Sequence, residues 1–273
     1  FEQLATSSLH KINLDGSESE WLKADMYSDV DFSPDGNYVM VTAIGKPFSY
    51  LVPYYRFPET TTIYSKEGKL IKTVNEVPLI EELPKGFMAT QTGKRSMRWR
   101  ADKPATLVWV EALDKGDPEV EVPYRDQVFE QKAPFSAASK PIFKTINRFG
   151  GIIWGDDDTA IAYDRWWNTR NTKSYLIDPS KENEEAVVIN DRNYQDVYSD
   201  PGNFVTKENK YGENVLELDG DKAYLIGDGY SEKGQFPFID EVDLKSKATK
   251  RIYESEYKEK LENLQKVLDI KEG

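Results

Sequence analysis

The chain has 273 residues, a formal net charge of −12 and a charged fraction of 31%. This acidic balance argues against a nucleic-acid binder or a protein held to anionic lipid, because phosphate groups would be repelled over most of the surface. Cysteine is absent, which excludes disulfides, zinc-thiolate centres and a cysteine nucleophile. No stretch approaches 18 consecutive apolar residues, so no membrane span is predicted.

Repeated hairpins set the predicted architecture. The first inner hairpin is SDVDFSPDGNYVMVTAI (28–44), in which apolar and acidic residues alternate before a turn at Pro34, Asp35 and Gly36. Three more stretches repeat two apolar strands around a short acidic turn: 96–112, 151–166 and 214–229. A more polar outer hairpin follows each inner one, at 61–74, 125–146, 173–189 and 237–254, and a fifth, 7–22, precedes them all.

An inner and an outer hairpin together make a four-stranded antiparallel blade, and blades repeated around an axis make a β-propeller. The predicted fold is therefore all-β, a partial propeller over 1–254. Its parts are a half-blade and four blades: 7–24, 28–77, 95–147, 150–191 and 212–254. The leading half-blade and the missing initiator Met predict that this chain is one part of a larger propeller. A C-terminal helix is predicted over 255–273, because Tyr257, Leu261, Leu264 and Leu268 share one helical face behind a capping Ser255.

The chemistry available to these residues is limited. A Ser/His/Asp triad needs a base, and the only histidine is His10, in a polar outer hairpin. No Gly-x-Ser-x-Gly elbow and no phosphate-binding loop is present. Acidic residues at hairpin tips, such as Asp156–Asp158, are typical turn formers, and none of the acidic runs has the order of a calcium loop. No catalytic residue, cofactor or metal site is therefore predicted.

The longer loops all fall on one predicted face of the wheel, and they are rich in aromatic residues and arginine. Long loops on one face of a rigid scaffold usually carry binding. We expect a cationic patch suited to carboxylates of a peptide or of a partner domain, formed by Arg56, Arg125, Arg165, Arg170 and Arg192. The alternative is that these are scattered surface arginines stacked on aromatic rings. Arg98 and Arg100 alternate with Met97 and Trp99 on an inner strand, and a structural role is open for them.

Several stretches, in this order, resemble the propeller of the prolyl oligopeptidase family of serine peptidases, and most closely its glutamyl endopeptidase branch. They are SLHKINLDG, SPDGNYVMVTAIGKPFSYLVPYYRFP, SMRWRADKPATLVWVEALDKGDPEVEV, IIWGDDDTAIAYDRWWNTRNTKSYLIDP, DRNYQDVYSDPGNF and GQFPFIDEVDLKSKATKRIYESE. The likeness covers nearly the whole chain. It implies a propeller followed by an α/β-hydrolase domain that holds the catalytic triad, which this chain lacks.

The resemblance implies a gating and positioning role: the propeller restricts access to short or unfolded peptides and lends loop residues to the pocket. The implied partners are the α/β-hydrolase domain of the same polypeptide and a peptide substrate. Two alternatives stay open, a stand-alone binding module and a propeller glycosidase, which needs two carboxylates facing one cleft. The compartment is undecided, and only family analogy favours a periplasmic or other extracytoplasmic one.

Overall fold

The computed structural model describes residues 1–257 and 259–265. Their regular secondary structure is almost entirely antiparallel strand, and the chain divides into two compact units. The first unit is Phe1–Glu121 with Val128–Lys140, and the second is Val122–Gln127 with Pro141–Gly273. No helix among the described residues is long and apolar enough to cross a membrane. The predicted all-β class, with sheets of four antiparallel strands, is confirmed.

The first unit contains a short helix α1 (Glu2–Ala5), a 3₁₀ turn (Tyr54–Arg56) and eight strands that lie wholly within it. These strands are β1 Ser7–Ile12, β2 Glu18–Asp25, β3 Tyr27–Phe32, β4 Tyr38–Ile44, β5 Glu59–Ser65, β6 Leu70–Val77, β7 Arg95–Trp99 and β8 Thr106–Ala112. Strands β9 (Asp126–Lys132) and β10 (Lys140–Thr145) have residues in both units. The sheet orders are β1-β2, β3-β4-β5-β6 and β10-β9-β8-β7.

The second unit continues with the same strand order. Its first strands are β11 Arg148–Trp154, β12 Ala160–Trp166, β13 Asn171–Ile177 and β14 Val187–Asn193, which pair in chain order as one sheet. The remaining elements are a 3₁₀ turn (Val197–Ser199), β15 Asn203–Phe204, β16 Thr206–Glu208, β17 Asn214–Leu216, β18 Leu218–Asp219, β19 Lys222–Gly227, β20 Tyr230–Ser231, β21 Gly234–Gln235, β22 Phe238–Asp243 and β23 Thr249–Glu254. The last large sheet has the order β15-β19-β22-β23, with β18 also on β19.

Hydrogen bonds to the Asp35 side chain close the turn of the first inner hairpin. Ser33 Oγ donates to Asp35 Oδ1 at 2.7 Å, and the backbone N–H of Asn37 donates to the same oxygen at 3.1 Å. Gly36 has φ +68°, a left-handed conformation that glycine adopts without steric cost. The turn thereby sets a register in which Phe32 lies opposite Val39.

Each unit has its own apolar core, formed by alternate residues of its strands. In the first unit, the core side chains include Met40, Ile63, Val74, Trp99, Leu107, Trp109 and Phe135. In the second unit, they include Ile161, Leu216, Ala223, Leu225, Val242 and Leu244. The faces of the sheets that are not in these cores, and the strand ends, are therefore where polar sites can form.

Arg100 is buried at the end of β7, in an ion-pair cluster that we call the Arg100 cluster (Arg100, Asp102 and Glu130). The guanidinium donates to both carboxylate oxygens of Asp102, at 2.9 and 2.7 Å, and to Glu130 at 2.5 Å. Only 2% of the Arg100 side chain is exposed, with 5% for Asp102 and 3% for Glu130. Arg98, two residues earlier, is exposed. The structure therefore gives Arg100 a structural role.

The predicted C-terminal helix over 255–273 is wrong for residues 255–257 and 259–265, which form no helical turn. The rest of that prediction lies outside the described residues. Tertiary hydrogen bonds override the helical pattern here: the Ser255 backbone N–H donates to the Pro237 carbonyl at 2.9 Å, and the Tyr253 hydroxyl donates to Glu262 at 2.7 Å. These bonds tie the segment to the region around β23.

Candidate functional site

Four of the predicted arginines lie in the second unit, and three of them are each stacked on an aromatic ring. The guanidinium carbon of Arg125 lies 4.0 Å from the centre of the Trp166 ring, that of Arg170 lies 4.0 Å from Trp167, and that of Arg165 lies 4.6 Å from Tyr194. We call these three the stacked arginines. Stacking fixes the plane of a guanidinium while leaving its N–H edges able to meet a carboxylate.

The turn between β12 and β13 places two of these groups. Arg165 and Trp166 end β12, and Arg170 closes the turn with φ +57° and a backbone N–H that donates to the Trp167 carbonyl at 3.2 Å. The Arg170 guanidinium also donates to that carbonyl at 2.8 Å. Arg165 is exposed and has no ion pair within the described part of the chain. Arg165 is therefore the stacked arginine best placed to meet an external carboxylate.

The other two predicted arginines differ from these three. Arg192 is already bound within the chain: its guanidinium donates to Asp200 at 2.6 Å and to the Asp196 carbonyl at 3.1 Å. Arg56 lies in the first unit, half-buried in the 3₁₀ turn, where its carbonyl accepts from the Ile80 backbone N–H at 2.9 Å. Of the five arginines predicted to form one patch, three are therefore stacked on rings, one is paired within the chain and one lies in the other unit.

A buried carboxylate holds the strand end that carries Arg165. Asp164 is 1% exposed, and it accepts hydrogen bonds from the Asn147 backbone N–H at 2.8 Å, the Lys173 backbone N–H at 3.0 Å and the Tyr175 hydroxyl at 2.5 Å. Burial raises the pKa of Asp164 above its ordinary value, against the effect of these donors. Asp164 therefore joins β12 to β13 and to the turn before β11.

A second buried pair supports the strand end next to Arg125. Asp126 is fully buried and accepts from the Arg148 guanidinium at 3.2 Å and from the Phe149 backbone N–H at 2.7 Å. The same guanidinium donates to the Arg125 carbonyl at 3.3 Å. The backbone positions of Arg125 and Arg165 are thus each set by a buried aspartate directly beside them in the sequence.

Sequence reasoning missed these two aspartates, although a signal was present. Both stand beside a predicted arginine, and Asp164 follows the apolar run Ala160–Tyr163 within β12. An acidic residue inside an apolar strand is expected to be buried and hydrogen-bonded. Their partners come from turns and neighbouring strands up to 23 positions away, which a local pattern does not reveal.

His10 is joined to a serine and a glutamate on the hairpin β1–β2. Ser8 Oγ lies 2.8 Å from His10 Nε2, and His10 Nδ1 lies 2.6 Å from Glu18 Oε1, an order that matches a hydrolase triad. All three side chains are exposed, the histidine by 37%, so bulk water competes for each bond and no desolvated site activates the serine. We assign the triplet to surface hydrogen bonding. Among the described residues, no group of three metal-ligating side chains is present either.

The described sheets define an all-β protein with the strand order of propeller blades. No family model matches its sequence. Two curated plant proteins named "Probable glutamyl endopeptidase, chloroplastic" do match it: that of Oryza sativa subsp. japonica is 34% identical over 263 residues, and that of Arabidopsis thaliana is 34% identical over 282 residues. The chain is homologous to these glutamyl endopeptidases, which confirms the resemblance inferred from its sequence.

The two alignments cover 94% and 100% of this chain but only 28% and 29% of the plant proteins. Among solved structures, the β-propeller domain of the Trilobed protease from Pyrococcus furiosus is similar with a TM-score of 0.41 and 12% identity, over 88% of this chain and 60% of that chain. The chain therefore spans less than a third of the length of the curated relatives it matches.

Proposed function

We propose that this chain is the non-catalytic propeller region of a glutamyl-endopeptidase-like serine peptidase. In this proposal it gates and positions peptide substrates for an α/β-hydrolase domain elsewhere in the same polypeptide. The observation that carries it is the 34% identity to proteins named glutamyl endopeptidase over nearly the whole chain. The exposed Ser8–His10–Glu18 triplet adds support, because the one histidine in the sequence is poorly placed for catalysis.

The stacked arginines are the proposed contact with substrate or with the hydrolase domain. Their rings hold the guanidinium planes in place, which lowers the entropy lost when a carboxylate binds. On an acidic protein, these three groups supply positive charges that favour the binding of a carboxylate. We propose that Arg165 and Arg170 hold an acidic side chain or a terminal carboxylate of the peptide, with Arg125 and Arg56 in supporting positions.

Alanine replacement of Arg165 and Arg170 in the full-length protein is expected to raise KM for a glutamate-containing peptide about tenfold, because a hydrogen bond to a charged group is lost. The turnover number kcat should change little, since these groups bind substrate without touching the reacting atoms. The measurement is steady-state hydrolysis of paired peptides that differ only in glutamate or glutamine.

Lys210→Ala is the matched control, because Lys210 is also an exposed cation stacked on a ring of the second unit, 4.9 Å from the centre of Tyr211. It should leave KM unchanged. Equal kinetics for wild type and the arginine variants would refute the assignment of these residues. The stand-alone binding module predicts a different result: a serine-directed fluorophosphonate would then label no part of the full-length polypeptide.

A further inference from the structure

An aromatic pocket of about 260 Å³ opens in the second unit, where it is lined by the 3₁₀ turn Val197–Ser199 and by the hairpin β20–β21 with the strands that follow. We call it the Tyr198 pocket. Four aromatic rings form its walls, and an ion pair lies at its base. The lining residues that carry the argument are Tyr198, Tyr230, Phe236, Phe238, Asp240 and Arg251.

The charges at the base of the pocket are already paired within the chain. Arg251 Nε donates to Asp240 at 2.5 Å, and Arg251 Nη1 lies 3.1 Å from the Glu254 carboxylate. The guanidinium carbon also lies 3.8 Å from the centre of the Phe238 ring. A cation from outside would need the same carboxylates and the same ring face, which Arg251 occupies. The base of the pocket therefore favours an uncharged group.

The rim of the pocket exposes apolar surface. Tyr198 is 64% exposed, Val197 49% and Tyr230 44%, and the 3₁₀ turn that carries the first two contacts β20, which carries the third. Apolar side chains that cluster on a surface mark binding sites, and aromatic rings supply much of the binding energy at such sites. The rim therefore suits a large apolar side chain.

Local hydrogen bonds hold both sides of the rim in place. Asp196 caps the 3₁₀ turn by accepting from the Tyr198 backbone N–H at 3.1 Å. On the other side, the Phe236 backbone N–H donates to the Gly229 carbonyl at 2.9 Å, and Gly229 has φ +66°, which glycine adopts without steric cost. Rings on preformed turns lose less conformational entropy when a ligand binds.

The Tyr198 pocket is linked to the stacked arginines through one segment of the chain. The turn before β13 and the segment after β14 lie at the same end of their sheet. In that segment, the Tyr194 backbone N–H donates to the Arg170 carbonyl at 2.8 Å, and the Tyr194 ring carries the Arg165 guanidinium. Tyr198 follows four positions later, so the Cα atoms of Tyr194 and Tyr198 lie within about 14 Å of each other.

We propose that the Tyr198 pocket binds one large apolar side chain, aromatic or branched aliphatic, of the peptide whose carboxylate is held by Arg165. An extended peptide covers about 14 Å with about four residues, so the apolar residue stands no more than about four positions from the acidic one. This inference rests on the proposed function, because it adds a second contact to the same peptide. It names the substrate class as acidic peptides with a large apolar residue close to the acid.

Binding of fluorescein-labelled peptides to this chain, measured by fluorescence anisotropy, tests the proposal without requiring hydrolysis. Each peptide has one glutamate with a phenylalanine three positions before or after it, in a background of alanine. The matched peptides have alanine or lysine in place of the phenylalanine, or glutamine in place of the glutamate. In one of the two orders, the phenylalanine peptide should bind at least about tenfold more tightly than its alanine and glutamine counterparts.

The variants separate the two contacts. Tyr198→Ala and Tyr230→Ala should each reduce the advantage of phenylalanine over alanine to less than about threefold, whereas Tyr230→Phe should keep it, because the ring makes the contact. Arg165→Ala should weaken the phenylalanine and alanine peptides equally. The matched control is Tyr257→Ala, which removes a tyrosine that is also exposed in the second unit but does not line the pocket, and it should bind as the wild type does. Unfolding by urea shows that each variant is folded.

Four results would overturn the proposal: equal affinity for the phenylalanine and alanine peptides, tighter binding of the lysine peptide, equal binding of the glutamine peptide, or an unchanged preference in both tyrosine-to-alanine variants. A dimer of this chain that dissociates in Tyr198→Ala would also overturn it, because a second copy would then fill the pocket. The proposed function has a separate readout. If the full-length protein hydrolyses none of these peptides, the peptidase assignment fails, and the measured affinities still decide whether the pocket binds an apolar side chain.

Discussion

Arg100→Ala is expected to lower the free energy of unfolding by about 3–5 kcal/mol, because it strands two buried carboxylates without their counter-charge. Asp102 and Glu130 are 5% and 3% exposed, and the guanidinium supplies three hydrogen bonds to them. Lys103 and Lys140 lie 3.5 and 3.9 Å from these carboxylates, too far to replace those bonds.

The measurement is urea unfolding followed by tryptophan fluorescence, with Arg98→Ala as the matched control. Arg98 lies on β7, two residues before Arg100, but it is exposed, so its loss should change the free energy of unfolding by no more than about 0.5 kcal/mol. A loss below about 1 kcal/mol in Arg100→Ala would mean that the carboxylates are solvated or protonated without it.

A triple variant separates the loss of the pair from the loss of packing. In Arg100→Met with Asp102→Asn and Glu130→Gln, no buried charge is left unpaired and the long side chain is kept. We expect it to recover at least half of the stability lost in Arg100→Ala, since buried ion pairs can be replaced by neutral groups at small cost. If the triple variant is as unstable as Arg100→Ala, packing or hydrogen bonding of the cluster outweighs its charge.

The hairpins could be predicted because their information is local. Turn chemistry at Ser33, Asp35 and Gly36 lies within a few residues of the strands that it connects. The burial of Arg100 and the exposure of Arg98 could not be predicted from the sequence. Strand alternation places both side chains on the same side, so the pattern does not distinguish them. The decisive partner of Arg100 is Glu130, 30 positions further along the chain.

The candidate sites show the same limit. The aromatic, arginine-bearing loops predicted that arginine would meet aromatic rings or carboxylates, and the structure has both, with Arg165 on Tyr194 and Arg192 on Asp200.

Asp164→Ala is expected to lower the free energy of unfolding by about 3 kcal/mol, because four donors lose their buried acceptor at once. These are the backbone N–H groups of Asn147 and Lys173, the side-chain amide of Asn147 and the hydroxyl of Tyr175. Tyr175→Phe removes one of these donors together with the acceptor of the Ile146 backbone N–H, and it should cost about 1–2 kcal/mol. Asp158→Ala, at the exposed tip of the hairpin β11–β12, is the matched control and should be nearly neutral.

The double variant Asp164→Ala with Tyr175→Phe identifies the source of the stability lost in Asp164→Ala. If part of that loss comes from the Tyr175 hydroxyl left without its acceptor, the double variant should lose less stability than the sum of the two single changes. If Asp164 positions Arg165, Asp164→Ala in the full-length protein should raise KM for glutamate peptides, as Arg165→Ala does. The reason is that the strand end that carries Arg165 loses its hydrogen bonds to β13 and to Asn147. Reduced stability with an unchanged KM would show that Asp164 stabilises the second unit without positioning Arg165 for substrate.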